Sequence, residues 1–159
     1  MEKEIKIRYQ VIASKEQLSD VERKLFEAAY EVRKNAYAPY SNFSVGCALL
    51  LENGEIVTGS NQENAAYPSG LCAERTAIFW TSANYPNQKI KKIFVIGGPN
   101  IGHSTIAIPP CGACRQSILE YEAKQEEPME VYFTSVNGEI FKTNSIRDLL
   151  PFSFDKSYL

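Results

Sequence analysis

The chain is poor in several residue types that would otherwise set its chemistry. It has one histidine, His103, together with two methionines and one tryptophan. The single imidazole sits in the loop-like stretch "NIGHST", where it reads as a solvated loop residue rather than a ligand, so His-based triads are disfavoured. No apolar run reaches the roughly 18 residues that a membrane span requires. The opening "MEKEIKIRYQVIAS" is charged and lacks a continuous apolar stretch, which argues against a signal peptide and leaves a cytoplasmic location as the default expectation. Lysine and arginine are scattered apart from "KIKK" at 89–92, and the formal net charge is −2. There is no basic stripe to track a phosphate backbone, so binding to a polynucleotide is disfavoured. Internal repeats and low-complexity linkers are also absent.

A length of 159 residues, with 44% hydrophobic and 23% charged residues, is the composition of one globular domain able to bury a core. "EIKIRYQVI" (4–12) alternates apolar and polar residues as a strand does. The run 14–37 reads as a helix with Leu18, Val21, Leu25, Ala28, Ala29 and Val32 on one face, ended by Pro39. "FSVGCALLL", "ENG" and "EIVTGSN" form a hairpin with Asn53-Gly54 at its turn. A helix over 72–84, a strand at 92–98, a helix over about 112–124 and strands on either side of Asn137-Gly138 complete the order, before a short helical turn, "IRDLLP", and a tail. Strands alternating with helices imply a layered α/β domain with crossover connections.

Four cysteines stand in this chain: Cys47, Cys72, Cys111 and Cys114. In "PPCGACRQSILEYE" the last two lie three apart at a helix start, a spacing that lets both sulfurs grip one metal ion. Taken alone, such a pair leaves a redox couple and a metal site about even. Cys72, at the start of the other helix, can supply a third thiolate and leave one position of a tetrahedral zinc open, the arrangement of a catalytic rather than a structural site. Cys47 would close the site as a fourth ligand, but in "VGCALL" it reads as a small core residue. Glu74 follows Cys72 by two positions, an offset that turns side chains apart within a regular helix. Both reach one metal only if Cys72 lies at the helix start, and there a carboxylate can carry the proton of a metal-bound water. An acid placed merely to complement the helix dipole is the plainer alternative for Glu74.

These elements together resemble the cytidine deaminases of the small, homotetrameric, three-cysteine type. "CAER" (72–75) and "PCGACRQ" (110–116) match the ligand-x-Glu and Pro-Cys-x-x-Cys signature of the zinc deaminases. "AYAPYSNFSVGCALL", "GSNQENAAY" and "DLLPFSF" extend the likeness over about 20–154. The resemblance implies a three-layer α-β-α fold with a central, mixed, five-stranded sheet and helices on both faces. It makes residues 1–159 a single domain, with about 1–15 an N-terminal extension of no assigned role.

For the site, the resemblance implies one Zn²⁺ per chain on Cys72, Cys111 and Cys114, and Glu74 as proton shuttle. Asn61 and Glu63 would hold the ribose hydroxyls, Phe43 would pack against the base, and Ala73 would be a further substrate-binding residue. Tyr67 and Phe154 match positions that reach a neighbouring subunit's site, and Arg75 a group that supports the thiolates. The implied activity is hydrolytic deamination of free cytidine and 2′-deoxycytidine in pyrimidine salvage. Two rivals remain at this point: a blasticidin-S type deaminase, which would share the zinc motifs, and a structural-zinc or redox-thiol protein without catalysis.

Overall fold

In a computed structural model, which describes residues 1–159, Ser19 sets the start of the first helix, α1 (Asp20–Val32). Its hydroxyl accepts from the Glu22 backbone N–H, and the Glu22 carboxylate accepts from the Ser19 N–H. That reciprocal cap breaks the helix expected over 14–37. Residues 15–17 form a separate 3₁₀ turn and 33–35 another. Leu25, Phe26 and Ala29 are buried on α1, whereas Val21, assigned to the apolar face, is 46% exposed.

The strands are β1 (Gln10–Ile12), β2 (Phe43–Leu51), β3 (Ile56–Ser60), β4 (Ile90–Pro99), β5 (Glu130–Ser135) and β6 (Ile140–Thr143). They form one sheet in the order β1-β6-β5-β4-β2-β3. Only β4 and β5 pair in parallel, and the helix α3 (Gly112–Gln125) connects them as a crossover. Six strands therefore replace the five that the family resemblance implied. The difference is β1, which pairs antiparallel with β6. It is three residues long rather than the expected 4–12, and Ile5, Ile7 and Tyr9 ahead of or at its start are exposed. The hairpin turns at Asn53-Gly54, as expected. Gly54 alone takes positive φ, at 88°, and four residues separate β2 from β3, so this is not the two-residue turn that needs positive φ twice.

Alternation along the central strands divides the core in two. Cys47, Leu49, Ile93, Val95 and Val131 point to one face, beneath α3 and the helix α2 (Ala73–Asn84), where Ala77, Ile78, Ile118 and Leu119 meet them. Ala48, Phe94, Ile96 and Tyr132 point to the other face and meet Leu25, Phe26 and Ala29 of α1. The result is a three-layer α-β-α arrangement. At one edge of the α1 layer the Tyr132 hydroxyl donates to Glu22 Oε1 at 2.5 Å, and Lys92 lies 3.3 Å from the same oxygen. Burial alone would raise the Glu22 carboxyl, but hydrogen bonds from Tyr132 and Ser19 outweigh it and hold it at about 2.

The layer that carries the cysteines depends on one close approach. A Cβ on Gly59 of β3 would lie 2.6 Å from the Ala77 nitrogen and 2.8 Å from the Ala73 carbonyl oxygen, both backbone atoms of α2. Gly59→Ala must therefore lift the first turn of α2 from the sheet. Overpacking of this kind costs about 1–3 kcal/mol. Chemical denaturation should show a loss of that size, and metal content should fall with it, because Cys72 moves with the helix.

Candidate active site

Both helices of the second layer begin on a cysteine. Cys72 is the N-cap of α2 and Cys111 the N-cap of α3, each in extended backbone, and Cys114 lies in the first turn of α3. This meets the condition set by the offset between Cys72 and Glu74: the cysteine stands outside the helix and the acid in its first turn. Neither cap residue satisfies its helix N–H groups with a side chain, so both dipole ends are left directed at the sulfurs. The Cys72 and Cys111 sulfurs are 3.8 Å apart, and all three sulfurs lie within 4.8 Å of one another. Tetrahedral zinc with Zn–S bonds of about 2.3 Å spaces its sulfurs by about 3.8 Å, so the donor set fits that ion. No fourth Cys, His, Asp or Glu joins the group. Cys47 is fully buried in the core, which removes the closed four-cysteine arrangement. His103 lies elsewhere, exposed, beside Asn137.

The electrostatics of the cluster separate its members. A hydrogen bond from the Cys114 thiol, followed by one from Arg75, holds Cys72 down to about 5 against the cost of burial. The bond that Cys114 donates, and then burial, push its own thiol up. Arg75 reaches the Cys72 sulfur with Nη2 at 3.9 Å, and its buried Nε has no partner. Glu74 is 4% exposed, and burial raises its carboxyl to about 7. A carboxyl poised there can both take and release a proton at neutral pH.

Beside the cluster lies a cleft of about 410 Å³, lined among others by Tyr40, Ser41, Asn61, Glu63, Tyr67, Cys72 and Arg75. The structure thus brings together five of the residues singled out in the sequence. Asn61 is 9% exposed and already engaged: Oδ1 accepts from Val45 N at 2.8 Å, and Nδ2 donates to the Phe43 carbonyl at 2.9 Å. Its side chain continues the β2–β3 ladder where the two backbones part. Glu63 is held by the loop 40–41. Ala73 is fully buried at the first position of α2.

Phe43 opens β2 outside the cleft lining, with its ring 3.2 Å from where a Cβ on Gly97 would stand. Tyr67 is 75% exposed and packs at a tilt on Tyr40 with ring centroids 6.1 Å apart. Phe154 lies apart from the cleft: its ring stacks on Tyr158, and its carbonyl accepts from Gln116 of α3 at 2.9 Å. Sequence reasoning gave Tyr40 and Ser41 no role: "APYS" served as a helix end and as part of the family likeness, not as a partner of Glu63. It also missed Arg115, which donates to the Pro110 carbonyl at 2.7 Å and to the Leu149 carbonyl at 2.8 Å. Arg115 thereby ties the approach to Cys111 to the "LLP" turn.

The family profile described as "Cytidine and deoxycytidylate deaminase zinc-binding region" matches residues 19–126. The chain is 41% identical over 143 residues to a cytidine deaminase of Sporosarcina psychrophila, a match spanning 88% of this chain and 95% of that one. It is 36% identical over 130 residues to a cytidine deaminase of Halalkalibacterium halodurans, spanning 82% and 91% of the two chains. Among solved structures, the cytidine deaminase from Burkholderia pseudomallei superposes with a TM-score of 0.72 at 41% identity, covering 82% of this chain and 97% of that one. With the three sulfurs, the helix starts that carry them and these relatives in agreement, the chain belongs to the cytidine and deoxycytidylate deaminase family, whose metal is zinc.

Proposed function

We propose that the protein catalyses the hydrolytic deamination of free cytidine and 2′-deoxycytidine, releasing ammonia and the uridine products, as a step of pyrimidine salvage. The observation that carries this reading is the buried Glu74 carboxyl, raised to about 7, next to three convergent sulfurs beside an open cleft. Cys72, Cys111 and Cys114 would hold the zinc, which would supply a Lewis acid that lowers the pKa of a water molecule. Glu74 takes one proton from that water and delivers it to N3 of the ring while the water oxygen bonds to C4. It then carries the second proton to the amine as the C4–N bond breaks. Both protons of the water are thereby accounted for, one on N3 and one in ammonia.

Arg75 and the two helix starts draw electron density from the sulfurs, which would keep a bound zinc acidic despite three anionic ligands. Asn61 and Glu63 take the sugar, Phe43 packs against the base, and Ala73 completes the substrate-binding set. A homotetramer is part of the reading, with Tyr67 and Phe154 serving a neighbouring site. Exposed aromatics on and near α2, namely Tyr67, Phe79 and Trp80, support it. Residues 1–159 act as one domain in this reading, with 1–15 an appendage. No helix is long and apolar enough to cross a membrane. A cytoplasmic setting accords with four free cysteines.

Two variants separate binding of the metal from chemistry. Cys114→Ser should bring zinc, measured by elemental analysis, from one per chain to well below that. Glu74→Gln should keep the metal and lower turnover on the order of 10⁴-fold or more, because the amide cannot carry a proton. Near-normal turnover in Glu74→Gln would move the proton-transfer role elsewhere.

The loss of absorbance on adding enzyme to cytidine or to cytosine tests the sugar site. If remote binding energy serves the reaction, cytosine should be poorer by a factor of at least about 10². Equal rates would sink the nucleoside assignment. Light scattering on the active enzyme should give the mass of four chains, and an active monomer would leave Tyr67 and Phe154 without their roles.

A further inference from the structure

The carboxylate of Glu63 is almost fully occupied before any ligand arrives. Oε2 accepts from the Tyr40 backbone N–H at 3.0 Å and from that of Ser41 at 3.2 Å. Oε1 accepts from the Ser41 hydroxyl. The same hydroxyl accepts from the Phe43 backbone N–H at 3.1 Å, so its own proton is committed to Glu63. A carboxylate has about four acceptor positions, and three are filled. The remaining one is on Oε1, beside the Ser41 hydroxyl and on the wall of the cleft.

One side chain thus joins the two groups assigned to opposite halves of a nucleoside. Ser41 fixes the acceptor for the sugar with its proton and the backbone of Phe43 with its lone pair. We infer that Ser41 is a positioning residue for the sugar site: it orients Glu63 so that a single acceptor position, on Oε1, meets a single sugar hydroxyl. This rests on the nucleoside reading of the same cleft. The hydrogen bond from Ser41 is also the largest cause holding the Glu63 carboxyl below its usual range.

Without the hydroxyl, Oε1 regains a second open position, which water can fill, and the Phe43 N–H loses its acceptor. A sugar hydroxyl must then compete for a carboxylate that no longer has one fixed direction. The effect belongs to binding more than to the reacting atoms, because Ser41 touches none of the groups that move protons.

The experiment compares cytidine with 2′,3′-dideoxycytidine, which lacks both hydroxyls that Glu63 can meet. Ser41→Ala should raise KM for cytidine about tenfold and change kcat by less than about threefold, the signature of a lost charged hydrogen bond in binding. On the dideoxynucleoside, read as an inhibition constant if turnover is too slow, the penalty should shrink to about twofold or less. Ser41→Thr keeps a hydroxyl and should restore KM to within about threefold. In a Glu63→Gln background, adding Ser41→Ala should cost less than about threefold, because the partner it positions is already altered.

An equal loss on both nucleosides would overturn the inference, as would full additivity with Glu63→Gln. Either result would make Ser41 a support for the loop alone. Should Ser41→Ala fail to fold, Ser41→Cys carries the same comparison, since a thiol is a weak donor and should show the alanine pattern. A wild-type enzyme inactive on cytidine would be seen before any variant and would remove the nucleoside reading itself.

Discussion

Three cysteine sulfurs within 4.8 Å of one another, with a buried carboxyl beside them, are a crowd of acids that the fold must hold in one place. As thiolates they repel, and the helices counter this by ending there. α2 and α3 both present their N-termini, where unpaired N–H groups and the positive end of the dipole meet. Arg75 adds a full positive charge 3.9 Å from the Cys72 sulfur. Much of the remaining architecture serves to bring those two helix starts together. α2 rests on β3 through the backbone contact that only Gly59 permits, and Arg115 locks the approach to α3. The parallel pair β4–β5, joined by α3, sets that helix over the same face of the sheet.

The second half of the site is a polar frame built where the sheet opens. Beyond Ser60 the Asn61 N–H still donates to the Val45 carbonyl, and the Asn61 side chain then extends the ladder by accepting from the Val45 N–H and donating to the Phe43 carbonyl. Glu63 then gathers the loop 40–41 by three hydrogen bonds. Arg33 joins the same region from the α1 layer, donating to the carbonyls of Ser44, Gly98 and Pro99. Side chains here do the work that backbone pairing does elsewhere, which leaves a cleft lined by groups already fixed in direction. Preorganisation of this kind lowers the entropy lost when a polar ligand binds.

Features legible in the sequence were those written in local chemistry. Cysteine at a helix start, a carboxyl two positions later and the alternation in β2 and β4 are local patterns, and α2, α3 and β4 appear close to their expected bounds. Features that depend on partners were not legible. The period-2 pattern of 4–12 describes nine residues that can extend as a strand, but pairing with β6 is available to only three of them. Asn-Gly signals a turn, whereas its type depends on where the flanking strands stop pairing. Ser41 and Tyr40 carry no motif of their own, and they matter because Glu63, 22 residues from Ser41, folds back onto them. The sixth strand was legible in the alternation of 4–12, whereas the family resemblance, which implied five strands, did not include it.

A redox pair and a metal site predict different things of the third cysteine. In a dithiol couple Cys111 and Cys114 would act on each other, and Cys72 would be a bystander. In this protein Cys72 is the centre of the cluster. It lies 3.8 Å from the Cys111 sulfur and within 4.8 Å of that of Cys114, accepts from Arg75, and is held down to about 5. Ionising Cys72 opposes ionisation of its neighbours, and both Cys114 and Glu74 are pushed up, in part by its charge. Cys72, Cys114 and Glu74 so coupled cannot all ionise in a half-buried pocket unless a cation is present, since each added charge raises the cost of the next. A divalent ion at the sulfurs removes that conflict and leaves Glu74, which is not among the ligating group, as the one acid still free to exchange its proton. The arrangement that would frustrate a disulfide couple is therefore the one that a hydrolytic metal site requires.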